Sequence, residues 1–351
     1  MKTLTTSLAA TAVGALLLPL AANAYGMPLR GNDLASGERY STGVHASGIQ
    51  AEGKDIGARR HASDSNWPWL KSGSADGKVN SNYIVHGEPV YAMAAGPVVG
   101  CWRNAPENPA GGKHPQLVAK KIVGGGNHLW IPQDDGVYAL YAHMQPGSIA
   151  SSLCPHDSVL LKGTSFGSPH PEILPEAKVV GGAKVKVGQL LGKVGNSGSS
   201  SGPHLHVHME KGGKPVPMTF DRGLTTPLAD QKASPGGPCT RLAGRAMPKA
   251  PVLFLPVFRL GNYTFNGTKG ADYQLLVERL ADSKMMPTII ACTSGGATYN
   301  SKWVPAKGQW TSHHGMSAAT AAAKHAFCVG QGFKRTSSFT CGSVSAAVWR
   351  K

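Results

Sequence analysis

The run Pro203-His204-Leu205-His206-Val207-His208 decides how this chain is read. Leu205 and Val207 alternate with His204, His206 and His208, so the segment reads as a strand with three imidazoles in a row on one face. Neutral imidazole is the commonest protein ligand for zinc, and an open zinc site takes about three protein ligands and a water. One strand cannot supply all of them, so the fold must bring other donors to that face.

Working outward, residues 83–209 alternate short β-branched or apolar runs with Gly, Pro, Asn and Asp clusters. Examples are Pro89-Val90-Tyr91-Ala92, His128-Leu129-Trp130-Ile131, Val137-Tyr138-Ala139-Leu140-Tyr141 and Leu190-Leu191-Gly192-Lys193-Val194-Gly195. That pattern predicts many short antiparallel strands, hence a mainly β domain built as a sandwich or barrel-like sheet. Around 229–251 the composition turns to Pro, Gly, Ala, Ser and basic residues, as in Ser234-Pro235-Gly236-Gly237-Pro238. A linker is expected there. Beyond it a helix followed by strands occurs twice, predicting a smaller α+β domain of two repeats over 252–351.

Met1-Lys2, the apolar run from Leu8 to Leu20 and Ala22-Asn23-Ala24 have the pattern of a secretory signal over 1–24, with a secreted or periplasmic protein as the consequence. The first domain is then 25–228, with its core at about 83–215. No later run reaches the ~20 apolar residues of a membrane span. Six cysteines in an exported chain favour disulfides over metal thiolates. Cys101 with Cys154 is the expected pair in the first domain, with pairing among Cys239, Cys292, Cys328 and Cys341 in the second. A net charge of +16 attracts anionic partners such as cell-wall polymer, whereas no nucleic-acid-binding signature appears.

Tyr141-Ala142-His143-Met144, followed by Val185-Lys186-Val187-Gly188-Gln189, Gly192-Lys193-Val194-Gly195-Asn196-Ser197-Gly198 and Ser201-Gly202-Pro203-His204-Leu205-His206, resembles the lysostaphin/LytM-type zinc endopeptidases of peptidoglycan. The resemblance runs from about Gly87 to Glu210. It implies a zinc-dependent hydrolase of peptide bonds, with peptidoglycan or another peptide as substrate. It also implies that His206 is a zinc ligand and that His143 and His204 stand beside the metal's water, one accepting its proton and the other hydrogen-bonding the oxyanion. His208 occupies a position where that family usually has a carboxylate, and it is read as a supporting residue rather than a ligand.

The family's usual His and Asp four residues apart are absent upstream. His45 and Asp55, in Val44-His45-Ala46-Ser47-Gly48-Ile49-Gln50-Ala51-Glu52-Gly53-Lys54-Asp55-Ile56, are the expected replacements, because loop-closure entropy grows slowly with length. His61 with Asp64 is the rival pair, and Asn82 a third option. If no pair assembles, the alternative function is a degenerate protein that binds wall polymer or regulates a hydrolase. His86, His114, His128, His170, His313 and His314 read as ordinary core or surface residues. Gly163-Thr164-Ser165-Phe166-Gly167 has the letters of a nucleophile elbow, but Ser168-Pro169-His170-Pro171 opposes the helix that must follow it. The loop 196–202 is expected to form a rim of the substrate groove.

Overall fold

The alternation at 203–208 is realised in a broad antiparallel sheet. The computed structural model describes residues 24–351 apart from 36, 46, 120, 134–135, 158–176, 230–231, 234–238 and 257. The signal-like segment, the Gly163–Gly167 motif, His170 and the run 234–238 therefore lie outside the described residues. The strands run β1 (Glu38–Val44), β2 (Lys54–Arg60), β3 (Pro89–Tyr91), β4 (Gly96–Pro97), β5 (Gly100–Trp102), β6 (Asn127–Pro132), β7 (Tyr138–Met144) and β8 (Lys184–Val185). There follow β9 (Leu190–Lys193), β10 (Leu205–Lys211), β11 (Lys214–Val216), β12 (Thr219–Phe220), β13 (Leu224–Pro227), β14 (Thr240–Arg241), β15 (Arg245–Ala246) and β16 (Val252–Leu255). One short helix, α1 (Pro115–Val118), interrupts them.

Ten strands share one sheet in the order β14-β13-β16-β1-β2-β10-β7-β6-β5, with β11 beside β10. Its inner face carries Tyr40, Ile56, Ala58, Leu129, Tyr141, Leu205, Val207 and Phe254, packed against Val90, Met93, Val98, Val185, Leu191 and Val194. Three of those partners, Val90, Val185 and Leu191, come from the ribbons β3-β9 and β4-β8, and the other three flank them. Burying a side chain such as Leu205 is worth about 1.5–3 kcal/mol. A register slip of one residue would move the histidines of β10 into this core, so the apolar face fixes the polar one.

The chain after Pro227 differs from the sequence reading. The stretch expected as a linker contains β14 and β15, and β16 is inserted between β1 and β13 of the large sheet. Val252–Leu255 thus belongs to the first body, because four apolar residues that are all buried fit a sheet interior better than a domain start. The remaining chain forms β17 (Tyr263–Lys269), α2 (Gly270–Asp282), β18 (Met285–Thr293), β19 (Thr298–Pro305), β20 (Trp310–Met316), α3 (Ala318–Gly330), β21 (Lys334–Cys341) and β22 (Val344–Arg350). The order strand, helix, strand, strand occurs twice, each time with a three-stranded antiparallel sheet. Leu275 of α2 packs on Leu224 and Leu255, the Gly223 N–H donates to Asp282 Oδ2 at 2.5 Å, and the Arg279 guanidinium donates to the Gly31 carbonyl.

Disulfides join Cys101 to Cys154 and Cys292 to Cys341. The second ties β18 of one unit to β21 of the other. Cys328 is a buried thiol.

Candidate metal centre

Directly opposed residues of neighbouring strands share a face, and Asp55 of β2 lies opposite His206 of β10 while Ile56 lies opposite Leu205. The same register that buries the apolar pair therefore brings the carboxylate to the imidazole. His45 follows the last residue of β1 and reaches the same spot. Its Nε2 stands 2.9 Å from Asp55 Oδ1 and 3.0 Å from His206 Nδ1, and His206 Nδ1 is 2.9 Å from Asp55 Oδ1. Two imidazole nitrogens and one anionic oxygen form a compact triangle. Among the described residues this is the group of His, Cys, Asp and Glu able to hold a metal ion.

The donor set fits zinc, which takes imidazole nitrogen and carboxylate oxygen at about 2.0–2.2 Å in a tetrahedral arrangement that leaves room for a water. Ligand atoms of such a site lie roughly 3.3–3.4 Å apart by that bond length, so the triangle needs to open by a few tenths of an ångström. Burial pushes the Asp55 carboxyl up, but hydrogen bonds from His204, His206 and His45 outweigh it and hold the group far below the usual carboxylate range. The same bond to Asp55 raises His45. Burial lowers His206 despite Asp55, which keeps its ring neutral and able to coordinate.

His208 supports this group from below. Its Nδ1 is 2.8 Å from His206 Nε2, and its ring meets Trp130 edge-on at 5.4 Å. Burial, together with the charges of His206 and His45, depresses it to about 3.

His204 and His143 stand beside the triangle. His204 Nε2 is 3.4 Å from Asp55 Oδ1, and its Nδ1–H donates to the Gly202 carbonyl at 2.8 Å. The His143 Nδ1–H donates to the Ser197 carbonyl at 2.8 Å, and the two rings are 4.7 Å apart. His143, pinned through Nδ1, keeps Nε2 as its bare nitrogen, whereas the His204 Nε2 faces the Asp55 carboxylate. Burial holds His143 well below the ordinary histidine value, with the neighbouring His204 and His206 adding to the effect.

How His143 reaches this side was not legible from alternation. Ala142 is opposite His206, so the next residue of a regular strand would face the core. Instead His143 has a φ of 66°, and its N–H donates to the Gly125 carbonyl at 2.9 Å. Such a conformation costs on the order of 1–3 kcal/mol in a non-glycine residue.

The loop 196–202 is partly buried, with Ser199 and Ser201 exposed. Asn196 and Ser197 are buried, and Gly198, at φ 76°, approaches Gly126 so closely that a Cβ would lie 2.3 Å from the Gly126 nitrogen. Small residues here permit backbone packing. Asn108, which the sequence reading did not single out, holds the loop: its Nδ2 donates to the carbonyls of Asn196, Gly198 and Ser200 at 3.0, 2.7 and 3.0 Å. An Asn in a Pro/Gly-rich loop carries no pattern that marks it.

The rival donors lie elsewhere. His61 Nε2 contacts Asp64 Oδ1 at 3.0 Å in a turn where the Asp64 side chain is 71% exposed, with no third ligand beside them among the described residues. Asn82 donates to the Asp76 carbonyl at 2.9 Å. His86 pairs with Glu107, His114 caps α1, His128 is buried on the Gly126 carbonyl, and His314 packs against Tyr273 and Tyr299.

Comparison with known proteins follows from this geometry. Residues 173–218 match the model of peptidase family M23. Similar solved structures include a Pseudomonas aeruginosa chain assigned to peptidase M23, at 20% identity over 37% of each chain with a TM-score of 0.21. The present chain thus spans little more than a third of that protein's length. Others are the catalytic domain of the antimicrobial peptidase lysostaphin from Staphylococcus simulans (19% identity, 52% of this chain and 83% of that one, TM-score 0.23) and the deep-sea M23 metalloprotease pseudoalterin (16%, 63% and 96%, 0.29). At these identities the assignment rests on the family match, and the matched segment runs through the loop and strand that carry His204 and His206. Residues 173–218 are thus similar to peptidase family M23.

Proposed function

We propose that the protein is an exported zinc endopeptidase that hydrolyses peptide bonds of bacterial peptidoglycan, with His45, Asp55 and His206 as the metal ligands. The observation that carries this reading is the convergence of these three donors, from separate segments, beside two further histidines whose Nδ1 atoms are held by backbone carbonyls. A bound zinc supplies Lewis acidity toward the scissile carbonyl and lowers the pKa of a water toward 7. The side chains do the rest. His204, with Nε2 3.4 Å from Asp55 Oδ1, hydrogen-bonds the oxygen of the scissile carbonyl while the Gly202 carbonyl keeps its ring in place. His143, buried and pinned by Ser197, accepts a proton of the attacking water at its bare Nε2 and passes it on to the departing amine.

The cationic tail fits the same reading. From Lys284 to Lys351 the sequence contains no Asp or Glu, which suits attraction to an anionic wall polymer. Among the described residues no helix is long and apolar enough to cross a membrane.

Metal analysis of single-site variants tests the proposal. His45→Ala, Asp55→Ala and His206→Ala should each lose the about one equivalent of zinc that the parent holds, and His61→Ala and Asp64→Ala should keep it. Full zinc retention by Asp55→Ala would overturn the ligand assignment. A parent protein that holds no zinc at all would point to the degenerate, wall-binding alternative.

A further inference from the structure

Along β2 past Asp55, Gly57 and Arg59 face the same side of the sheet as the carboxylate. The indole of Trp69 covers both. A Cβ at Gly57 would come within 2.7 Å of Trp69 Cζ3, so glycine is what lets the ring settle against the strand, and the Arg59 guanidinium carbon lies 3.3 Å from the ring centroid. The backbone around the ring is clamped on both sides. The Ile84 N–H donates to the Trp69 carbonyl at 3.0 Å, the Arg60 N–H to Pro68 at 3.0 Å, the Arg60 Nε–H to Leu70 at 3.0 Å and the Arg59 guanidinium to Trp67 at 2.9 Å.

Despite this anchoring Trp69 is 40% exposed, whereas Trp67 is 2% exposed. Beyond Trp69, Trp67 packs with Leu253, and Leu275 with Leu224 and Leu255. Trp69 is thus a partly exposed ring against the strand that carries the metal ligand Asp55. Two residues of strand separate Gly57 from Asp55, about 7 Å. An extended peptide covers that span in two residues and returns a side chain to the same face.

We propose that Trp69 is the platform of a substrate subsite that takes an apolar side chain of the cleaved peptide two residues from the scissile bond. This rests on the metallopeptidase reading above. The ring is rigid before the substrate arrives, so little ordering entropy opposes the contact. Gly57 and Arg59 act as positioning residues that hold the ring.

The test uses the full chain loaded with zinc, the variants Trp69→Ala and Trp69→Phe, and soluble peptides that carry either leucine or glycine two positions from the cleaved bond. Zinc content, kcat, KM and calorimetric Kd are measured. Trp69→Ala should raise KM and Kd for the leucine peptide about tenfold, the scale of one aromatic contact, with zinc content and kcat close to the parent's and the glycine peptide little affected. Trp69→Phe should restore most of the loss. Equal Kd values for parent and Trp69→Ala with the leucine peptide would overturn the subsite. A response confined to sugar-bearing wall fragments would also overturn it, by showing a glycan on the ring. A parent that binds no zinc and cuts no peptide defeats the metallopeptidase reading instead, and the Kd comparison still decides the subsite.

Discussion

Replacing His208 with phenylalanine should weaken zinc binding by roughly 10–100-fold while the sheet stays folded. The magnitude follows from proton positions. When His206 coordinates through Nδ1, its proton must sit on Nε2, where His208 Nδ1 accepts it at 2.8 Å. Phenylalanine fills the same space beside Trp130 but leaves that N–H buried with no acceptor, at a cost of about 1–3 kcal/mol. The metal-free protein escapes this cost, because His206 can carry its proton on Nδ1 and donate it to Asp55 at 2.9 Å. The whole penalty therefore falls on the metal-bound state, and each 1.4 kcal/mol is about a factor of ten in affinity. His208→Gln, which offers an amide oxygen in place of Nδ1, should recover most of the loss. Competition titrations against a chelator of known zinc affinity at fixed pH would measure it, with circular dichroism as the check on folding. Parent-like affinity in His208→Phe, or equal weakening in both variants, would refute this account of how His206 is oriented.

The other expectations concern chemistry and stability. His143→Ala and His204→Ala should retain zinc yet lose about 10²-fold or more of the turnover on a soluble wall peptide, since one moves a proton and the other hydrogen-bonds the carbonyl oxygen, and neither holds the metal. His143→Gly should be more stable than His143→Ala by about 1 kcal/mol in urea unfolding, because only glycine occupies a φ of 66° without strain. For pH dependence, burial holds His128 at about 4, below the ordinary 6.5. Between those values the unfolded chain binds a proton that the folded chain does not, so stability falls as pH drops from 6.5 to 4. His128→Asn, which keeps a donor for the Gly126 carbonyl, should flatten that part of the profile, and urea midpoints at pH 7 and pH 4.5 would show it.

Composition and periodicity made β7 and β10 legible, and with them a mainly β first body, because the alternation of Leu205 and Val207 with histidines and the short apolar run Val137-Tyr138-Ala139-Leu140-Tyr141 are local properties of the chain. Asp55 was harder to find. It reaches His206 through a cross-strand register set 151 residues away in sequence, which no local window displays. His143 was identified from its motif, but its left-handed backbone could not be inferred, since alternation predicts the opposite face. β16 was assigned to the wrong side of the boundary because Pro, Gly and Ser around it outweighed four apolar residues. Trp69 and Asn108 were invisible for a related reason: their roles depend on which backbone they lie against.

The position of β16 has a consequence for the order of folding. β1 pairs with β2 on one side, close in sequence, and with β16 on the other, where Tyr40 meets Phe254 across more than two hundred residues. The strand leading to His45 is thus an unpaired edge until almost the whole first body has been made. Long-range pairings of this kind slow folding, since the closure entropy is lost before the contacts form. Until residue 255 is in place, Tyr40 lacks the aromatic neighbour that covers it at 5.6 Å. Zinc added to a nascent or truncated chain ending before Val252 would meet His45 on a strand still free to pair with another molecule.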